Sequence, residues 1–264
     1  MFKKIQKFMI IIFITLMFSS LCKAEINFID LPVRYIKQAG GYDTSETDNV
    51  YLYKTWKLNL NKTALIIIDA WNYDDSLNEG SWKRIQANID NKLIPLVDIL
   101  HSHDVLIIHI PHSRELSKSI KPLDNEYVLT TSAKESSESQ KKAYEDLKKI
   151  LEIHNIDTLL YAGYCTNICM MFRPTGIIAM HELGYPTILI RDCTIALETR
   201  ETMNGEWMKE VSINIIELNC GPSTTSEDIK KALFGYEMDL QTGNILLMFM
   251  ATLSIYILIK LRIR

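Results

Sequence analysis

The sequence lacks an excess of charge of either sign, and this narrows the classes of protein to which it can belong. Its 264 residues include 29 lysines and arginines against 32 aspartates and glutamates, a net charge of −3. The lysines alternate with acidic residues and form no basic stripe, which argues against a nucleic-acid partner. No internal repeat is visible. Apolar residues make up 47% of the chain, enough for one substantial core in about one domain.

The sequence also lacks a CxxC motif. Cys165 and Cys169, the closest pair among the five cysteines, are separated by three residues. A thiol–disulfide exchange protein is therefore the weakest of the functions considered for this chain.

Both ends of the chain have the composition of membrane-targeting segments. Lysines precede an apolar run at residues 8–18, which predicts a signal peptide over 1–24, with an uncleaved anchor as the alternative. Residues 245–259 are uninterruptedly apolar and basic residues follow, which predicts a transmembrane helix over 243–261. An amphipathic terminal helix is the alternative, but no polar face interrupts the run. Basic residues at both ends put both on the cytoplasmic side, so the domain between them is expected on the extracytoplasmic side of a membrane.

Short apolar runs alternate with helical patterns between the two ends. Residues 25–62 have no sustained period and are expected to form an N-terminal extension, and 63–236 the main domain. The alternation predicts an α/β fold with three layers, a doubly wound and mainly parallel six-stranded sheet with helices on both faces. The predicted strands are 64–68, 105–110, 127–131, 158–162, 187–190 and 213–218; the predicted helices are 85–101 with a kink or break at Pro95, 136–153, a helix from Ile168, 201–211 and 226–234.

Two reactive side chains follow predicted strands. Asp69 ends the first strand, and Cys169 follows the fourth after a turn at Gly163. Ligands bind at the carboxyl ends of strands in such sheets, so the two side chains are expected to converge on one crevice. The first turn of a helix favours the thiolate form of a cysteine, the nucleophilic form. A buried structural cysteine is the alternative.

Three segments resemble the isochorismatase-like cysteine hydrolases, a family that includes nicotinamidases, carbamoylsarcosine-type amidases and isochorismatases. They are ALIIIDAWN (64–72), DTLLYAGYCTNIC (157–169) and LGYPTILIRDCT (183–194). The resemblance implies that Cys169 is the nucleophile and Asp69 the general base. It also implies a non-proline cis peptide between Tyr164 and Cys165, with the backbone N–H groups of Cys165 and Cys169 forming an oxyanion hole.

The third catalytic residue of the family, a lysine at the end of the third strand, is not at its expected place. Thr130 or Thr131 stands there, and Lys134 is the nearest lysine that could take the role. Trp71 and Asn72 follow Asp69 directly and are expected to line the substrate pocket, with a buried core position as the alternative for Trp71.

No metal and no cofactor are predicted. His109 and His112 form an HxxH motif, but the Asp-x-His pattern of metal-binding nicotinamidases is absent, so two hydrogen-bonded histidines are expected. Arg173 is expected to have a structural role in the turn before Pro174, with the binding of an anionic group as the alternative. Cys193 and Cys220 end the predicted strands five and six, and a disulfide between them is a further hypothesis.

The predicted function is hydrolysis of an amide or ureido C–N bond in a small molecule, through a thioester on Cys169. The alternative is a catalytically inactive, membrane-tethered binding module of the same fold. Whether the chain forms a homo-oligomer is left open.

Overall fold

A computed structural model of the chain describes residues 27–37, 50–72, 81–112, 114–130 and 136–236, with a few isolated positions beyond them. The chain divides into two compact units. Ile29–Ala232 is the first and contains the sheet. The second joins Met1–Phe28 to Leu233–Arg264, and in it the Tyr236 hydroxyl donates a hydrogen bond to the side-chain oxygen of Asn27 at 3.0 Å.

One eight-stranded sheet in the order β2-β1-β8-β7-β6-β3-β4-β5 organises the first unit. The six strands from β8 to β5 pair in parallel, and β1 pairs with β8 antiparallel. The α/β class and the mainly parallel sheet are therefore confirmed. The strands are β1 (Phe28–Lys37), β2 (Val50–Asn59), β3 (Thr63–Ile68), β4 (Leu106–His112), β5 (Tyr127–Thr130), β6 (Thr158–Tyr164), β7 (Thr187–Ile195) and β8 (Ser223–Thr224).

Strand β3 lies in the interior of the sheet, and every one of its residues is buried. Ile66 pairs with Ile108 of β4 on one side and with Tyr161 of β6 on the other. A strand that is covered on both faces must be apolar at consecutive positions, which explains the unbroken run in the sequence.

Helices cover both faces of the sheet. They are α1 (Ser81–Asn88), α2 (Ile94–Ser102), α3 (Ser137–Ile153), α4 (Ile177–Glu182), α5 (Trp207–Asn219) and α6 (226–236), with a π-helical turn, Ile89–Leu93, between α1 and α2. Apolar residues of α3, α4 and α5 share one buried cluster with Ile66, Ile108 and Tyr161. The segment α1–α2 contacts β7 and β4 outside that cluster, on the opposite face.

The strand predicted at 213–218 is wrong, because these residues lie in helix α5. Ile213, Ile216 and Glu217 are buried while Ile215 and Leu218 are exposed, which is helical spacing. The β-branched residues of this segment favour a strand locally, but packing of one face against the core overrides that weak preference. The short strand β8 takes the place in the sheet that the prediction gave to 213–218.

The predicted extension, 25–62, supplies two long strands of the sheet. Ile29, Leu31 and Val33 of β1 are buried and alternate with exposed residues, the period of a half-buried strand. Pro95 lies in the first turn of α2, just after the π-helical turn. The helical backbone continues from α1 through this turn into α2, and the N–H of Ile94 donates to the carbonyl oxygen of Ile89. Pro95 therefore lies inside a helical run, directly after the π-helical turn that interrupts the regular hydrogen-bond pattern.

The predicted signal segment, 1–24, lies outside the described residues, as does nearly all of the predicted span, 243–261. Within the described part of the chain, no helix has the length and apolar character needed to cross a membrane.

Candidate active site

The site lies where the strand order reverses. The chain passes from β3 to β4 on one side, and β6 later pairs with the other side of β3. The carboxyl ends of β3 and β6 are therefore neighbours, with Ile68 paired to Gly163. Open α/β sheets bind their ligands at such a switch point.

Gly163 allows the two strand ends to approach closely. Its φ is +118°, and a Cβ at this position would lie 2.0 Å from the carbonyl oxygen of Ile68. Because no side chain fits there, the sequence requires glycine, and the turn after β6 is brought against the residue that follows β3.

Asp69, directly after β3, is held by two donors. Its side chain is buried; Oδ1 accepts a hydrogen bond from Nδ1 of His112 at 2.7 Å, and Oδ2 accepts one from Nε of Arg173 at 2.9 Å. Its backbone is left-handed, with φ of 49°, a conformation that aspartate tolerates better than most residues. Both carboxylate oxygens are thus fixed in direction.

Cys169 lies in a π-helical turn, Thr166–Met170, and its side chain is half-buried. Burial raises the pKa of its thiol well above the ordinary range, and the negative charge of Asp69 and a hydrogen bond to that carboxylate raise it further. The prediction that the helix end favours a resting thiolate is therefore wrong. The resting group is a thiol that donates to Asp69.

The cis peptide expected between Tyr164 and Cys165 is confirmed. The backbone N–H of Cys165 donates a hydrogen bond to the sulfur of Cys169, so it is directed at the reacting atom. Burial, and then the charge of Asp69, raise the pKa of the Cys165 thiol to about 12. The Cys165 side chain is buried, and it is the backbone N–H of this residue that the site can use.

Arg84 of α1 adds a positive charge near this turn, and its charge opposes the rise in the pKa of Cys165. Its Nη1 donates to Glu206 at 3.0 Å and its Nη2 to the carbonyl oxygen of Ala196 at 3.2 Å. Its buried Nε has no hydrogen-bond partner among the described residues. Sequence reasoning did not identify this residue.

Trp71 and Asn72 lie beside Asp69 in the chain, and both are half-buried. The indole N–H of Trp71 donates to the carbonyl oxygen of Pro111 at 2.7 Å, and the guanidinium of Arg114 lies 4.3 Å from the ring centroid. Their predicted contact with substrate stays a prediction. Lys134 belongs to residues 131–135, which lie outside the described part of the chain.

His109 and His112 bind different carboxylates. Nε2 of His109 lies 2.7 Å from Glu126, whereas His112 contacts Asp69. In the described ranges, no group of three or more histidine, cysteine or acidic side chains could hold a metal ion. All four described cysteines are free, so the hypothesis of a disulfide between Cys193 and Cys220 is wrong for this structure. Its premise fails because Cys220 follows helix α5 rather than a strand.

Comparison with known proteins identifies the family to which the chain belongs. The sequence model of the isochorismatase domain matches residues 63–228, more than half of the chain. The chain belongs to the isochorismatase family. A search of curated proteins found no match.

Solved structures of isochorismatase-family proteins share the fold. A cysteine hydrolase from Pseudomonas syringae pv. phaseolicola 1448A is 16% identical, with 69% of this chain and 96% of that chain covered and a TM-score of 0.54. An isochorismatase family protein from Burkholderia thailandensis is also 16% identical, with 66% and 96% covered and a TM-score of 0.50. At such identities the likeness extends to the fold alone.

Proposed function

We propose that this isochorismatase-family protein is a cysteine hydrolase that cleaves the C–N bond of a small amide or ureido compound. One observation carries the proposal: the thiol of Cys169 donates to the buried carboxylate of Asp69 at the switch point of the sheet. A nucleophile within hydrogen-bond reach of its base is the arrangement that covalent catalysis requires.

In the first step, the sulfur of Cys169 attacks the carbonyl carbon of the substrate while Asp69 accepts the thiol proton. Because the resting group is a thiol, loss of the proton accompanies attack and no free thiolate accumulates. The negative charge on the substrate oxygen is stabilised by the backbone N–H groups of Cys165 and Cys169. Asp69 then passes the proton to the leaving nitrogen, and the C–N bond breaks to leave a thioester.

In the second step, water hydrolyses the thioester. Asp69, again a carboxylate, accepts a proton from that water as it attacks the acyl carbon. The tetrahedral intermediate collapses, the C–S bond breaks, and the proton returns to the sulfur. This step releases an acid and regenerates the free enzyme. Over both steps, the C–N bond of the substrate is replaced by a C–O bond.

The charge near the pocket bears on the substrate. Arg84 is close enough to Cys165 to influence its thiol, and its Nε–H lacks an acceptor among the described residues. We therefore include small amides and ureido compounds that carry a carboxylate, beside neutral ones of the same size, in the set to be tested.

The deciding experiment measures release of ammonia or amine from that set by the wild-type chain, by Cys169→Ala and by Cys220→Ala. Cys220 is a buried thiol on helix α5's C-terminal side, outside the site, and serves as the matched control. We expect hydrolysis by the wild type and the control only, and an acyl adduct on Cys169 in rapidly quenched samples.

Turnover that survives Cys169→Ala would contradict the proposal. Binding of a tested compound without any turnover by the wild type would favour the inactive binding module instead. In that case calorimetry would detect the complex while no amine appeared.

We also propose that the predicted helix over 243–261 anchors the domain on the extracytoplasmic side of a membrane. The apolar run with following basic residues supports this. The full chain is then expected in the membrane fraction, and a chain ending at residue 242 in the soluble fraction. Protease added to the extracytoplasmic side of intact cells should cleave the domain of the full chain. Equal distribution of the two chains, each shown by mass spectrometry to have lost residues 1–24, would rule out the anchor.

A further inference from the structure

The resemblance leads one to expect a lysine at the end of β5, but Thr130 occupies the last position of that strand. Thr130 is exposed and pairs with His112 of β4. Two other described residues donate hydrogen bonds to Asp69: His112 at the end of β4, and Arg173 in the turn that follows Cys169.

Among the described residues, Arg173 is a cation that contacts Asp69. Its Nε lies 2.9 Å from Oδ2, and the exposed fractions of the two side chains are 9% and 1%. A buried ion pair that is also a hydrogen bond is stronger and more directional than an exposed one. Arg173 comes only four residues after Cys169, so one turn carries both the nucleophile and the cation.

The local sequence explains how Arg173 reaches Asp69. Pro174 ends the helical turn that contains Cys169, because proline cannot continue a helix. The chain then reverses within a few residues: the N–H of Gly176 donates to the carbonyl oxygen of Arg173 at 2.8 Å. A Cβ on Gly176 would lie 2.6 Å from the carbonyl oxygen of Met170, so only glycine permits this reversal.

The same reversal supplies a second anchor through Thr175. Its hydroxyl lies 3.2 Å from Nε2 of His112, and its carbonyl oxygen accepts a hydrogen bond from the Tyr161 hydroxyl at 2.9 Å. A carboxylate only accepts, so Nδ1 of His112 carries the proton that Asp69 receives. Residues 173–176 therefore hold both oxygens of Asp69, one directly and one through His112.

We propose that Arg173 takes the place of the family lysine as the positioning residue of this site. It acts through Asp69: it fixes the direction of Oδ2 and offsets the carboxylate charge beside Cys169. That offset makes deprotonation of the thiol easier than it would be next to an uncompensated carboxylate. The inference rests on the proposed function for its role in turnover, but its effect on the thiol is independent of any substrate.

The test is the rate at which iodoacetamide alkylates Cys169, followed by peptide mapping from neutral to alkaline pH. Arg173→Met removes the charge, and Arg173→Lys keeps it. Arg34→Met is the matched control, because Nε of Arg34 also lies 2.9 Å from a buried carboxylate, that of Glu217. Lys134→Ala tests the competing assignment.

In Arg173→Met we expect the pH profile to move to higher pH, with alkylation at neutral pH about threefold to fourfold slower. A rise of one unit in the thiol pKa lowers the fraction of thiolate tenfold. The thiolate that remains is more nucleophilic, which offsets part of this loss. Arg173→Lys and Arg34→Met should keep the wild-type profile. Where a substrate is known, Arg173→Met should lower kcat with little change in KM.

A wild-type profile in folded Arg173→Met would overturn the proposal, and so would a shift in Lys134→Ala without one in Arg173→Met. If Arg173→Met does not fold, a profile for Arg173→Lys that differs from wild type by as much as tenfold would also overturn it, since the charge is retained. Failure to find any turnover would contradict the proposed function and leave these alkylation results standing.

Discussion

Two buried arginine–carboxylate pairs in this protein have nearly the same geometry and different surroundings. In each pair Nε of the arginine lies 2.9 Å from the carboxylate, Arg34 with Glu217 and Arg173 with Asp69. The first joins β1 to α5, and the second joins the turn after Cys169 to the end of β3. Similar contacts therefore serve different purposes, and the neighbours decide which.

The Glu217 pair is incompletely satisfied. Oε2 of Glu217 and Nη2 of Arg34 are buried without a hydrogen-bond partner among the described residues. The hydroxyl of Ser223 donates to Oε1, and Nη1 of Arg191 donates to that hydroxyl at 3.0 Å. The pair connects β1, β7, β8 and α5, which is a structural role.

The Asp69 pair has a donor on each carboxylate oxygen and accepts a hydrogen bond from Cys169 as well. Its residues come from the ends of strands and from turns, where an open α/β sheet has its ligand site. The comparison teaches that burial and pairing alone do not mark a site; a reactive group within reach does.

Removing the charge of each carboxylate gives the largest expected difference. Asp69→Asn should lower kcat on the order of 10³-fold, because an amide cannot accept the thiol proton. The measurement is initial rate on whichever amide the wild type hydrolyses. Retention of more than a tenth of the activity would show that another group is the base.

Glu217→Gln should instead lower the free energy of unfolding by about 3 kcal/mol, because the buried charge of Arg34 loses its partner. Urea denaturation measures this loss, and kcat of the folded fraction should equal that of wild type. A fall in kcat comparable to that of Asp69→Asn would erase the distinction between the two pairs.

Thr175, which contacts His112, and Ser223, which contacts Glu217, are expected to differ less in their effects on kcat and stability. Thr175→Val leaves Nε2 of His112 without its partner and should lower kcat about fivefold, the equivalent of one lost hydrogen bond. Ser223→Ala should cost about 1 kcal/mol of stability and leave kcat unchanged. Rates and urea midpoints of both variants are compared; equal effects of the two on kcat would contradict the assignment.

The smallest expected effect concerns pH. The folded-state pKa of Cys165 is raised from 9.0 to about 12, so the folded protein favours the neutral thiol. The stability that this thiol contributes is complete below about pH 9 and is lost as the pH rises towards 12. Cys165→Ala should therefore show a shallower fall of the urea midpoint above pH 9, and an unchanged slope would count against burial as the cause.

Much of the site could be predicted because its signals are local. Asp69 ends an apolar run and Cys169 follows one after Gly163, and parallel strands bring their carboxyl ends to one edge. The resemblance added the cis peptide after Tyr164, which the structure contains. The contact between Arg173 and Asp69 was not predicted, although the place of Arg173 before Pro174 and four residues after Cys169 was visible in the sequence.

Two other errors have a common physical cause. Residues 213–218 include three β-branched isoleucines and were predicted as a strand, yet they form part of α5 because one helical face packs on the core. The thiol of Cys169 was expected to ionise readily at a helix end, yet burial and Asp69 outweigh that dipole. In both cases a long-range contact overrides a local preference.

The sequence by itself determined the buried parallel strands, since consecutive apolar residues such as 64–68 are stable only when both faces are covered. It also determined the two turns that need glycine, at Gly163 and Gly176, because a side chain would meet the backbone there. Only the tertiary structure decided that Arg173 contacts Asp69. Hydrogen bonds between residues more than a hundred positions apart, as between Arg173 and Asp69, depend on the folded sheet and have no period in the sequence.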